Sequence, residues 1–151
     1  MEMDRKRPAR GVRHQANQPT VVYDTLCTAC RGSWLATPEM HDCLINIWLN
    51  DATSWLVGRY VIMPDHLHYF AWATPDAVEY QTWVKYWKSK FSKAHGQADL
   101  RLQSDNWDTR MRNESQYEEK WRYVFENPVR AGLVQNAEDW AFSGAVHELR
   151  W

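Results

Sequence analysis

The alternation of apolar and polar positions divides the chain into short segments of recognisable period. Residues 20–30 (T-V-V-Y-D-T-L-C-T-A-C) are rich in β-branched and aromatic side chains and read as a first strand. Thr37-Pro38 follows, an N-cap residue ahead of a proline at the first helical position. Met40, Leu44, Ile47 and Trp48 then recur at i, i+4, i+7 and i+8, the stripe of a helix packed along one face. Residues 55–63 (W-L-V-G-R-Y-V-I-M) form a second strand, Pro64-Asp65 turns the chain, and residues 66–73 (H-L-H-Y-F-A-W-A) return as a third. This hairpin is apolar on both faces, which places it centrally in its sheet. Over residues 76–95, Tyr80, Trp83, Val84, Trp87, Phe91 and Ala94 gather within about a third of a helical circumference, and Gly96 ends the helix. Residues 106–112 read as a short fourth strand. Ser115-Gln116-Tyr117-Glu118 has capping-box spacing and opens a last helix, striped by Tyr117, Trp121 and Val124 and stopped by Pro128.

The resulting order is β-α-β-β-α-β-α, the split β-α-β pattern with one added C-terminal helix. It predicts an α+β fold: a ferredoxin-like antiparallel sheet covered by helices. Residues 1–19 carry Pro8, Gly11 and Pro19 without apolar periodicity and read as a flexible basic arm. Residues 20–151 then form one domain, with no internal repeat or low-complexity tract. Such an architecture hosts many activities, so function has to come from particular residues.

Composition narrows the classes. A chain of 151 residues, 44% hydrophobic and 25% charged, is long enough to bury its own core, which excludes wholesale disorder. No apolar run approaches the roughly eighteen residues of a membrane span, and the N-terminus lacks a signal-peptide stretch. Three cysteines are an odd number, and a reducing cytosol is expected. The net charge of −1 gives no overall basic field, so any nucleic-acid surface must concentrate its cations locally. Two stretches do so. Arg5, Lys6, Arg7, Arg10 and Arg13 face only Glu2 and Asp4, and Lys85, Lys88, Lys90, Lys93 and Arg101 face only Asp99. The plain alternative is a solvated tail and a solvated helix face.

Three places can carry chemistry. His66 and His68 lie two apart on a strand and project from one face, where two imidazoles can share a metal ion. Otherwise they are partly buried histidines beside Phe70 and Trp72. Tyr123 and Asn127 share one flank of the last helix, where a packing tyrosine and a helix-terminal asparagine are the ordinary reading. Cys27-x-x-Cys30, with His41 and Cys43, has the residue types of a zinc site. Positions three apart in a strand diverge, however, so these cysteines are read as small buried hydrophobes.

Two of these places belong to segments with a recognisable combination. V-I-M-P-D-H-L-H-Y-F-A-W over residues 61–72, with Y-V-F-E-N-P-V-R-A-G-L-V over residues 123–134, resembles the single-tyrosine transposases whose metal-binding strand carries His-hydrophobic-His. The branch it resembles most is the REP-associated tyrosine transposases, chromosomal proteins acting on palindromic repeat hairpins. The resemblance runs over residues 20–143. It implies the HUH nuclease fold, with His66 and His68 as the metal-binding pair, Asn127 as a third ligand and Tyr123 as the nucleophile. The implied cofactor is Mg²⁺ or Mn²⁺, of which Mn²⁺ suits imidazole better. The implied activity is metal-dependent single-stranded DNA cleavage and strand transfer at hairpins, through a 5′-phosphotyrosine link, in the bacterial cytoplasm at the nucleoid. Arg5, Arg7, Arg10, Arg13, Lys85, Lys88 and Lys93 are the expected DNA contacts; no general base for Tyr123 stands out, Lys120 one turn before it being merely within reach. Monomer and homodimer both stay open, with no membrane partner. The rival readings are a catalytically silent hairpin-DNA-binding protein derived from a transposase and a metal phosphoesterase that uses water.

Overall fold

A computed structural model describes residues 19–151; Arg5, Arg7, Arg10 and Arg13 lie outside the described residues. The first apolar run forms β1 (Val21–Cys27), and Pro38–Asn46 forms α1, with the Thr37 hydroxyl accepting the Met40 N–H at 3.2 Å as the expected cap. A π-helical turn, Ile47–Asp51, extends α1. The hairpin is β2 (Trp55–Ile62) and β3 (His66–Ala73), and α2 (Tyr80–His95) ends at Gly96 in the left-handed conformation, φ 69°. Then come β4 (Trp107–Met111), α3 (Glu114–Phe125), the short α4 (Asn127–Arg130) and β5 (Ser143–Ala145).

The strands pair antiparallel in the order β4-β1-β3-β2-β5. The first four reproduce the expected α+β sheet with β3 at its centre. The fifth, Ser-Gly-Ala, lacks apolar alternation and joins only because β2 offers it an open edge.

Four boundary expectations need correction: α2 starts at Tyr80 rather than at residue 76, Pro128 lies within α4 rather than ending the last helix, and two more concern β1 and the start of α3. The first strand stops at Cys27 rather than Cys30, because Thr28 turns the chain by donating its hydroxyl to the Gly32 carbonyl at 2.8 Å. Beyond it Cys30 and Arg31 both adopt left-handed backbone, φ 58° and 54°. The N-cap of α3 lies two residues earlier than Ser115. Asn113 Oδ1 accepts the Gln116 N–H at 2.8 Å, while Gln116 Oε1 accepts the Arg112 N–H at 2.7 Å. Glu118 pairs instead with Arg59 of β2, at 3.0 Å.

Strand alternation gives the sheet two different faces. Val22, Asp24 and Leu26 of β1 and Leu67, Tyr69 and Ala71 of β3 point toward α1 and α2. There Trp48, Trp83, Trp87 and Tyr69 are buried edge to face, with Trp48 and Tyr69 ring centroids both within 6.0 Å of Trp87. Trp83 and Trp87 thus belong to the core, as their helical positions imply. Trp87→Ala should cost about 3–5 kcal/mol, measured by urea denaturation, because so rigid a cluster cannot collapse onto the void. A loss below about 1 kcal/mol would contradict this packing.

The same face buries a carboxylate. Asp24 accepts hydrogen bonds from Tyr80 Oη, from Asn106 Nδ2 at 2.7 Å and from its neighbour's N–H at 2.8 Å. Burial, reinforced by Asp108, outweighs those donors and pushes the Asp24 carboxyl up to about 7. An acid with a raised folded-state pKa stabilises the fold fully below its unfolded value near 4 and loses that contribution as pH rises to about 7. Asp24→Asn should therefore gain stability relative to wild type between pH 4 and 7. Paired thermal melts across that window check it; parallel curves would refute the assignment.

Candidate active site

The opposite face of the sheet carries Val21, Tyr23 and Thr25 of β1 with His66, His68 and Phe70 of β3, and α3 packs across it through Tyr117, Trp121 and Val124. Because β3 alternates, His66 and His68 both open toward α3. Their ring centroids lie 4.9 Å apart with planes 82° to each other. Where α3 stops, the backbone turns at Glu126 (φ −83°, ψ 0°) and α4 begins, bringing Asn127 over the two imidazoles. Asn127 Nδ2 stands 2.9 Å from His68 Nε2 and 3.4 Å from His66 Nε2.

Each Nδ1 is occupied from behind. His66 Nδ1 lies 2.8 Å from Asp65 Oδ1, and His68 Nδ1 lies 2.8 Å from Tyr23 Oη and 3.0 Å from Thr25 Oγ1. Both Nε2 atoms are therefore aimed at one point. Rotating the Asn127 carboxamide by 180° presents Oδ1 to that point, which gives two imidazole nitrogens and one amide oxygen. Two imidazoles suit a transition-metal cation better than Mg²⁺, which prefers oxygen ligands, and three protein ligands would leave coordination positions open. Burial foremost, then His66, Lys120 and Arg130, pushes His68 down to about 3, so its imidazole is neutral and retains a lone pair at neutral pH.

Two tyrosines line the same cavity of about 340 Å³. Tyr23 stacks parallel to His68, with centroids 5.7 Å apart, and burial foremost pushes its phenol up to about 12. Tyr123 is 63% exposed on α3, one turn before Asn127. The Arg130 guanidinium lies 3.9 Å from the Tyr123 ring centroid and donates Nη2–H to the Tyr123 carbonyl at 2.8 Å. A larger hollow, about 580 Å³ beside Trp83 and Tyr86, carries Asp51 and Asp76 and no cation in its lining, a poor match for a phosphate-bearing strand.

His66, His68, Asn127 and Tyr123 thus converge, although they come from two stretches far apart in the chain. The lysines of α2 do not join them: α2 covers the other face of the sheet. Lys85 and Lys93 are exposed there, while Lys88 donates to the carbonyls of Gln103 at 2.6 Å and Ser104 at 3.4 Å. Lys120 Nζ lies over the Tyr23 ring at 5.1 Å. Among the described residues, Arg31 and Arg130 are the cations that line the cavity, and Lys120 lies beside it over Tyr23. Arg31 and Arg130 gave no periodic signal, and only the position of Arg130 within Asn-Pro-Val-Arg pointed to it. The cysteines also depart from expectation: Cys30 is exposed and Cys27 and Cys43 are half-buried, because Cys30 falls in the left-handed turn rather than in a strand. Tyr69, beside the second histidine, points to the core and bonds Tyr80 Oη at 2.7 Å.

No family model matches the chain. Over 88 residues it is 28% identical to the REP-associated tyrosine transposase of Escherichia coli (strain K12), covering 58% of this chain and 52% of that protein. The chain thus spans about half the length of the curated relative it matches. Among solved structures, a REP-associated tyrosine transposase bound to a REP hairpin superposes with a TM-score of 0.71 at 21% identity, over 87% of this chain and 80% of that one. A Deinococcus radiodurans R1 protein provisionally described as a transposase superposes with a TM-score of 0.52 at 19% identity, over 79% and 95%. The chain has the fold of the REP-associated tyrosine transposase and resembles that family in sequence, as its paired motifs imply.

Proposed function

We propose that this protein cuts and rejoins single-stranded DNA beside hairpins, with Tyr123 as the nucleophile and His66, His68 and Asn127 as the holders of a divalent cation. The convergence of both Nε2 atoms on Asn127, in one cavity with an exposed Tyr123, carries this reading. The sequence similarity to a REP-associated tyrosine transposase supports it. A bound cation would polarise the scissile phosphate and stabilise the departing oxygen.

The protein's own side chains supply the rest. Tyr123 Oη forms a bond to phosphorus, the bond from phosphorus to the 3′-oxygen breaks, and the phenol proton ends on the released 3′-hydroxyl. Attack by another 3′-hydroxyl reverses the step, and no ATP is needed because the aryl ester stores the energy of the broken bond. Tyr23 is the wrong phenol for this attack. It is half-buried, turned toward His68, and held protonated up to about pH 12. Arg130 holds the Tyr123 ring beside the cavity and places a positive charge where a backbone phosphate would arrive.

Denaturing gels with labelled hairpin oligonucleotides test the reading. A DNA–protein adduct is expected to form with Mn²⁺ and not to form when EDTA is present from the start. Cleavage without an adduct would favour a phosphoesterase, and tight binding without cleavage would favour a silent hairpin binder. Among the described residues no helix is long and apolar enough to cross a membrane. Action on chromosomal DNA in a bacterial cytoplasm is part of the same proposal.

A further inference from the structure

We propose that Asp65 is a positioning residue that sets the tautomer of His66, and that Arg31 holds Asp65 in that role. Asp65 divides its two oxygens between two partners. Oδ1 lies 2.8 Å from His66 Nδ1, and Oδ2 receives Arg31 Nη2 at 2.9 Å and Nε at 3.2 Å. An ionised carboxylate only accepts hydrogen bonds, so Nδ1 must carry the imidazole proton and Nε2 must present its lone pair toward Asn127. His68 has no such constraint. Its Nδ1 faces the hydroxyls of Tyr23 and Thr25, each able to donate or accept. One imidazole of the pair is locked and the other is adaptable.

The backbone supports the assignment independently. Arg31 reaches Asp65 from two successive left-handed residues that are not glycine, Cys30 and Arg31, a conformation that L side chains adopt at a cost. The loop is pinned to the turn before β3. Thr28 N–H donates to the Asp65 carbonyl at 3.0 Å, and Leu35 N–H to the Pro64 carbonyl at 3.0 Å. An ion pair as exposed as Arg31–Asp65 adds little to folding stability. The strained turn therefore has a use other than stability: it fixes the carboxylate behind His66.

Two measurements on the full chain test this, and only the second rests on the metal reading. In the metal-free protein, ¹⁵N imidazole shifts should show His66 as the Nδ1–H tautomer. Asp65→Ala should shift it mainly to Nε2–H, and Arg31→Gln should shift it partly. Asp65→Asn keeps the shape of the turn but loses the charge, so it serves if Asp65→Ala does not fold; its Nδ1–H population should fall below wild type. With Mn²⁺ alone and no DNA, followed by the electron paramagnetic resonance of the free ion, Asp65→Ala should weaken binding by about 10–100-fold. A wild-type His66 in the Nε2–H form, or variants with wild-type tautomer populations, would overturn the proposal. If the tautomer shifts as expected but wild type binds no Mn²⁺, the metal reading fails and the positioning role stands.

Discussion

Tyr123→Phe is expected to abolish the covalent DNA–protein adduct, lowering its rate of formation by at least about three orders of magnitude, while hairpin affinity stays within about twofold. The substitution removes one oxygen from a ring that is 63% exposed. The Arg130 guanidinium stacks on that ring, and its hydrogen bond runs to the residue's backbone carbonyl, so both contacts survive in phenylalanine. Stability should therefore change by less than about 0.5 kcal/mol. The matched control is Tyr23→Phe, which removes the other phenol in the cavity and should leave the adduct in place. The readouts are adduct yield on denaturing gels and hairpin binding on native gels. An adduct that persists in Tyr123→Phe and vanishes in Tyr23→Phe would move the nucleophile to β1. Turnover persisting in both variants would mean that water is the nucleophile.

His68→Ala should have the next largest effect, and for two separable reasons. It removes one of the two imidazoles facing Asn127, so the metal-dependent adduct should fall by about 100-fold or more. It also deletes the partner that Tyr23 Oη, Thr25 Oγ1 and Asn127 Nδ2 share within a mostly buried pocket. Leaving such groups unpaired should cost about 1–3 kcal/mol of stability. His66→Ala should lower the adduct to a similar degree at a smaller stability cost, because the His66 side chain is 18% exposed and its Nδ1 partner Asp65 keeps Arg31. Adduct assays across a Mn²⁺ titration, with urea denaturation of the same samples, separate the two effects. Wild-type adduct formation in His68→Ala at every metal concentration would remove the metal from the proposed site.

The convergence of these four residues was legible only through paired motifs. Nothing in the spacing of Tyr123 relative to His66 states that they meet. A helix that packs Tyr117, Trp121 and Val124 onto the sheet brings Tyr123 along on its flank, and the break before Pro128 turns Asn127 inward. The lysines of α2 show the reverse case. Their clustering is plain in the chain, but a cluster does not say which sheet face its helix covers. Here that face lies opposite the histidines.

What the amino-acid sequence determined by itself was the main pattern set by neighbours within a few residues. Strand alternation, the helical stripes, the Thr37-Pro38 start of α1 and the Gly96 stop of α2 all follow from local sterics and burial, and they specify the β-α-β-β-α-β order. Tertiary structure decided where two local choices were nearly equal or where partners are distant in the chain. Asn113 rather than Ser115 caps α3, since Glu118 is held by Arg59 from β2. Ser143–Ala145 becomes a strand because β2 has an open edge to pair. Arg31, Lys120 and Arg130 surround the histidines only once β1, β3, α3 and α4 have packed. Local propensities are short-ranged, whereas a site assembled from both halves of the chain exists only after the chain closes on its core.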